Sequence, residues 1–218
     1  MDTVILACSS LEKYVAAAQM RQGTNYPVCY LDRKYHAEPK DMRQCILETV
    51  NEMPEDVDTV LVAMGFCGGS WEGVSFPRTV VIPRVDDCIS LLLQTGDADI
   101  PNLKQPGHMY MVEMDPQDFD MTKMFSSFLQ DFEDFPLDEL MAMMFGNYKW
   151  LDIVDTGLTD CYSEAYVAQA QANADAMHVQ LDYAPGSNHL LEKLVGGCWD
   201  AQFLVAQPGH CIRHGDFF

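Results

Sequence analysis

Short apolar runs alternate with amphipathic stretches along this chain. Val4-Ile5-Leu6-Ala7, Val60-Leu61-Val62-Ala63-Met64 and Val80-Val81-Ile82 are β-branched-rich runs of the kind that buried strands require, and turn residues bound them. They predict strands over residues 3–8, 58–65 and 78–84, with a further one over 26–32. The stretches between them read as helices. One covers 10–20, with Ser9 or Ser10 as its cap. A second covers 39–53, with Pro39 in the first turn. A third covers 86–94, with Asp86 and Asp87 at the end that favours negative charge. The second half is less regular. It predicts strands at 108–114, 149–155, 178–183 and 202–206. Helices are predicted at 160–177 and 187–195, and across 121–147, where Pro136 interrupts. Strand and helix in alternation predict an α/β fold, a mostly parallel Rossmann-like sheet with helices on both faces. The 218 residues fit a single α/β domain spanning 1–218, with two lobes dividing near 95–107.

Charge narrows the range of partners. With 13 basic and 33 acidic residues the net charge is −20, a surface that repels nucleic-acid backbones and anionic lipid. Solubility is the plainest use of that acidity. The apolar runs are too short for a membrane span, and Met1-Asp2-Thr3 lacks the basic region of a signal peptide. A cytoplasmic protein is expected, with its eight cysteines present as thiols, metal ligands or catalytic groups.

The positions of those cysteines carry the strongest chemical signal. Cys8 ends the first strand, Cys67 follows the third, and Cys88 follows the fourth. The C-terminal edge of a parallel sheet is where α/β proteins bind ligands, so three thiols distant in sequence can meet there. Soft thiolates gathered in this way point to a metal site, zinc first and other transition metals after it, or to a reactive thiol. No two cysteines form a CxxC pair, which argues against a zinc ribbon. Gly68 and Gly69, directly after Cys67, let the backbone approach a ligand closely and are the candidate cofactor-binding positions. A tight turn with an incidental cysteine is the plainer reading of that loop. Cys29 and Cys45 read as core, and Cys161, Cys198 or Cys211 can supply a fourth ligand.

Polar groups on the same edge complete the candidate site. Arg84 ends a strand and can clamp a substrate carboxylate bidentately, or pair with Asp86 or Asp87. These three are the candidate catalytic groups, the aspartates as ligands or as orienting partners. Asp155-Thr156-Gly157 closes a later strand, as a ligand group or a helix cap. His108 and His210 are weak metal candidates, since the six histidines form no HxH or HExxH pattern. The Met-rich run Leu140–Phe145 reads as core packing. No GxSxG, P-loop or GxGxxG motif is present.

Taken in order, Ala7-Cys8-Ser9-Ser10-Leu11-Glu12, the GxCGxxxEG run from Gly65 to Gly73, the PRxDDCIxLLL run from Pro83 to Leu93, Pro106-Gly107 and Asp155-Thr156-Gly157 form a distinctive set. The chain resembles an uncharacterised family of anaerobic bacteria and methanogens, domain of unknown function 1638, over nearly its whole length. PRxDDCI is the most specific block. His108 departs from the threonine that more usually follows the PG motif. The resemblance implies an association with corrinoid-dependent methyltransferase systems. It therefore implies a role in anaerobic one-carbon metabolism, with a corrinoid protein or a methyltransferase as partner.

Three functions are consistent with these residues. The first is a zinc-thiolate enzyme acting on a small molecule, with Cys8, Cys67 and Cys88 as ligands and methyl transfer as the reaction. The second is a carrier or chaperone for a metal or a corrinoid. The third is a metal-free, racemase-like enzyme using a cysteine thiolate, with Cys161 as the matched second thiol.

Overall fold

The computed structural model describes residues 2–112, 139 and 143–218. These residues divide into two compact units. Met1–Leu103 with Ser187–Phe218 forms the first, and Lys104–Gly186 forms the second. Most of the stretch 121–147, where helices are expected, and residues 140–142 of the Met-rich run lie outside the described residues; of the rest of that run Phe145 is buried, but Met143 and Met144 are exposed and do not pack in a core.

The first unit is built on a five-stranded sheet. Its strands are β1 (Asp2–Cys8), β2 (Val28–Leu31), β3 (Val57–Ala63), β4 (Thr79–Pro83) and, after the second unit, β8 (Phe203–Ala206). Their order is β2-β1-β3-β4-β8. The first four strands are parallel, so the C-terminal ends of β1, β3 and β4 share one edge, as their composition predicts. β8 joins β4 in the antiparallel direction, which a chain leaving a helix can do at a sheet edge without a crossover.

The central position of β1 explains its unbroken apolar run. Val4 to Cys8 are buried, because the strand has a neighbour on each side and helices above and below. Alternate residues point to opposite faces. Leu6, Val62 and Ile82 pack with Met42, Ile46 and Val50, the four-residue-spaced stripe of α2 (Pro39–Asn51). On the other face lie α1 (Glu12–Gln22) and α5 (His189–Gly196), packed against each other. Their contact is fixed by Asn188 Nδ2, which donates to the Tyr14 carbonyl. Burying each large aliphatic side chain of this core contributes about 1.5–3 kcal/mol.

α1 does not start where the serines predict. A short 3-10 turn, Ser9–Leu11, comes first, and neither serine side chain caps a helix. Both are used elsewhere: Ser9 Oγ accepts from the Arg33 amide at 3.0 Å, and Ser10 Oγ lies 2.9 Å from Cys8 Sγ.

The second unit has its own sheet, all parallel, in the order β5-β6-β7 (His108–Met111, Trp150–Asp155, Gln180–Pro185), packed against α4 (Glu164–Ala176). Leu151, Ile153, Cys161, Tyr166, Ala170 and Ala174 form its core. The described strands thus make two sheets. His108 pairs through Nδ1 with the buried Asp152 carboxylate at 2.7 Å. Asp155 does not cap α4, whose N-cap is Ser163. It accepts instead from the Gly157 amide and from the Tyr162 hydroxyl, at 3.0 and 2.7 Å.

Candidate metal centre

Strand register builds the centre. Cys8 is level with Leu31 across β1 and β2, and Ala7 is level with Ala63 across β1 and β3. The chain therefore leaves β1, β2 and β3 at nearly the same height. Past Leu31 it enters a 3-10 turn, Arg33–Ala37, capped by Asp32, whose side chain accepts from the Lys34 amide. This turn brings His36 over the end of β1. Past Pro83, Asp87 accepts from the Ser90 amide and so starts the six-residue helix α3 (Cys88–Leu93) with Cys88 as its first residue.

The ligand atoms of Cys8, His36 and Cys88 all lie within 4.8 Å of one another. His36 Nε2 is 3.1 Å from Cys8 Sγ. Cys8 is fully buried, Cys88 half-buried and His36 exposed, so the cluster opens toward solvent on the histidine side. Two sulfurs and one imidazole nitrogen are a ligand set suited to a borderline-soft divalent ion. These residues can hold a metal.

Cys67 stands beside this trio and is not one of the three that close on one another. Its thiol interacts with that of Cys88. Its backbone is in the left-handed region at φ 48°, followed by Gly68 at 65° and Gly69 at 90°. A non-glycine residue held there costs about 1–2 kcal/mol, strain that is usually kept at working sites. Tight contact with the loop after β4 offsets it. The amides of Phe66 and Cys67 donate to the carbonyls of Val85 and Asp86 at 2.9 and 2.7 Å. Gly65 makes the approach feasible, since a Cβ there would lie 2.7 Å from the Asp87 backbone. Arg43 of α2 holds the other end by donating to the Gly69 carbonyl at 2.7 Å. Gly68 and Gly69 thus shape the turn. At Gly68 an added Cβ would also meet Pro39 at 3.0 Å.

The electrostatics of the centre are asymmetric. The Cys8 thiol is lowered to about 4, chiefly by the hydrogen bond from Cys88; His36 and Ser10 add to this, and burial opposes it. His36 is raised, mainly because its ring bonds to Cys8. Cys88 is raised well above the ordinary thiol range, because its proton is shared with Cys67 and Cys8 and because it is buried. Without a metal the trio therefore favours a thiolate at Cys8 and a neutral thiol at Cys88, with His36 shifted toward its charged form.

The other expected groups take distinct places. Arg84 is half-buried, makes no ion pair among the described residues, and helps to lower the carboxyl of Asp216 in the C-terminal segment. Asp86 accepts from Asn102 at 3.1 Å. Asp87 caps α3 and its charge helps to raise His36. Cys29 and Cys45 pack against the core, Cys161 belongs to the second unit's core, and Cys198 is exposed. His210 pairs with Asp216 at 3.0 Å.

His36 is the ligand that motif reasoning missed. It belongs to no paired-histidine pattern, yet it follows a strand end just as the three cysteines do. That topological rule, applied to every metal-binding residue type, selects it.

Residues 30–195 match a family described as "Protein of unknown function (DUF1638)". The chain belongs to the DUF1638 family. His36, Cys67 and Cys88 fall inside the matched span, and Cys8 precedes it. No curated protein and no solved structure matches the chain. Among the described residues, no helix is long and apolar enough to cross a membrane.

Proposed function

We propose that this protein is a zinc-thiolate enzyme that activates a small thiol as a methyl acceptor, with Cys8, His36 and Cys88 as the fixed ligands. The carrying observation is the closure of these three ligand atoms to within 4.8 Å at the C-terminal edge of the sheet. Zinc fits the donor set, and three protein ligands leave the open position that catalytic zinc sites keep. Bound there, zinc supplies Lewis acidity that turns a neutral thiol into a thiolate nucleophile near pH 7.

The chain's own residues supply the rest. Asp87 places its charge near His36, a partner of the kind that tunes histidine ligands. Arg84 is the cation offered to an acidic substrate, since its guanidinium makes no ion pair among the described residues and its Nε has no hydrogen-bond partner. The methyl donor proposed is a corrinoid protein, on the strength of the family resemblance.

A second reading has its own support. The Cys8 thiolate beside His36 is the arrangement of a metal-free cysteine nucleophile. Metal analysis of anaerobically purified protein separates the two. The zinc reading expects one tightly held zinc per chain, lost in Cys88→Ser and kept in Cys29→Ser. Metal-free protein that turns over substrate would favour the nucleophile. A weakly held, exchangeable metal would favour a carrier.

A further inference from the structure

We infer that Cys67 is the exchangeable ligand of this centre, occupying the fourth position at rest and ceding it to the incoming thiolate of a small thiol substrate. The inference rests on the metal reading above and assigns the part that reading leaves open.

Three observations carry it. Cys8 lies at the buried end of a central strand and Cys88 at the start of α3, both tied into regular structure, whereas Cys67 lies on neither strand nor α-helix. It sits outside the trio that closes on itself, yet near enough to interact with Cys88. Its backbone is fixed, because the Cys67 amide is bonded to the Asp86 carbonyl and the Gly69 carbonyl to Arg43. Exchange therefore falls to the Cys67 side chain, on a backbone held in place. The neighbouring Gly68 is exposed, so the same side of the centre faces solvent.

The exchange balances without an oxidant. The substrate R–SH gives up its proton and binds as R–S⁻, and the departing Cys67 thiolate takes that proton and becomes a neutral thiol. One metal–sulfur bond breaks and one forms. The sulfur count at the metal and the net charge of the centre stay constant. When the substrate sulfur takes the methyl group of the corrinoid donor, whose bond pair stays with the donor, it becomes a neutral thioether, a poor ligand; Cys67 then gives its proton to solvent and returns as the thiolate.

The test uses the full chain loaded with one equivalent of Co²⁺, with 2-mercaptoethanol as the probe thiol. A pulse of excess iodoacetamide followed by peptide mass spectrometry reads Cys67, and the sulfur-to-cobalt absorption reads the centre. Cobalt alone is expected to slow Cys67 alkylation by about tenfold or more, because a bound thiolate is blocked. Saturating 2-mercaptoethanol should restore the metal-free rate while the cobalt absorption keeps its intensity. In Cys67→Ala, cobalt should bind with one sulfur fewer, and 2-mercaptoethanol should restore the wild-type intensity. A Cys67 that stays protected in the presence of the thiol is a permanent ligand, and one that cobalt never protects is not a ligand. Either result overturns the inference and leaves the trio standing. Absence of any sulfur-to-cobalt absorption would overturn the metal reading itself, and this inference with it.

Discussion

Replacing His36 with alanine removes the nitrogen donor of the trio and, of the buried scaffold, touches only the Cys8 thiol that its ring bonds. The magnitude follows from the ligand count. Structural zinc sites with four ligands bind with about 10–16 kcal/mol near neutral pH. An equal share per ligand is about 2.5–4 kcal/mol, and each 1.4 kcal/mol is tenfold. His36→Ala should therefore weaken zinc binding by roughly 10²- to 10³-fold. His36 sits on an exposed five-residue turn but its ring bonds the buried Cys8 thiol, so the metal-free protein should stay folded and lose about 1–3 kcal/mol. Competition against a chromophoric chelator at pH 7 gives the affinity, and a thermal melt of the metal-free forms gives the control. His108→Ala and His210→Ala should match wild type in the same assay, because each of those histidines is already paired with an aspartate. An affinity within about threefold of wild type in His36→Ala would refute the assignment, since no ligand share that small fits the site.

Two further outcomes follow from the same geometry. Gly65→Ala places a Cβ 2.7 Å from the Asp87 backbone, so the two loops must part. Urea unfolding should show a loss of about 1–3 kcal/mol, with weaker metal binding beside it, and wild-type values for both would contradict the close approach. The second outcome concerns protons. At pH 7 the Cys8 thiol, lowered to about 4, is already ionised, while Cys88, raised well above the ordinary thiol range, still holds its proton; His36 is raised as well. Metal uptake should thus release the Cys88 proton and compete with protonation of His36, and affinity should climb with pH. For the metal-free fold the sign follows from linkage. The depressed Cys8 contributes stability that is fully present above the ordinary thiol value of 9.0 and is lost as pH falls toward about 4. The raised His36 contributes stability that is present below 6.5 and is lost as pH rises through its higher folded value. Denaturant titrations should show the wild-type advantage over Cys8→Ser growing from pH 4 upward, and an advantage independent of pH would refute the thiolate.

Much of this arrangement is legible in the sequence, for identifiable reasons. Central parallel strands must be apolar on both faces, so β1, β3 and β4 announce themselves as continuous runs, and their ends locate Cys8, Cys67 and Cys88. Gly68 and Gly69 are legible as turn formers because positive φ selects glycine. The histidine escaped because a three-dimensional site brings it in through register: Cys8 faces Leu31, and the turn after Leu31 carries His36 back. Ser9 and Ser10 read as caps because serine before an apolar run usually is one. Here the 3-10 turn intervenes and both hydroxyls serve the centre instead. The direction of β8 has no local signature, since an edge strand of four residues fits either way.

Charge balance connects the metal-free and metal-bound forms. Three thiols crowd the end of the sheet beside the His36 imidazole. If the thiols ionised together, several negative charges would be packed into a low-dielectric edge, and that is expensive. In the metal-free trio the Cys8 thiol is lowered to about 4, Cys88 keeps its proton, and His36 is shifted toward the charged form that offsets the thiolate. A divalent ion balances the charge by another route. It displaces the proton of Cys88, and two thiolates then balance two positive charges beside a neutral imidazole. A third thiolate, from Cys67 or from a substrate, adds one negative charge whichever of them supplies it. The metal-bound trio is therefore neutral, and exchange of one thiolate for another at the remaining position leaves the charge unchanged. That makes the fourth ligand the one the centre can replace at least electrostatic cost, and Cys67, on its glycine turn, is the residue placed to be replaced.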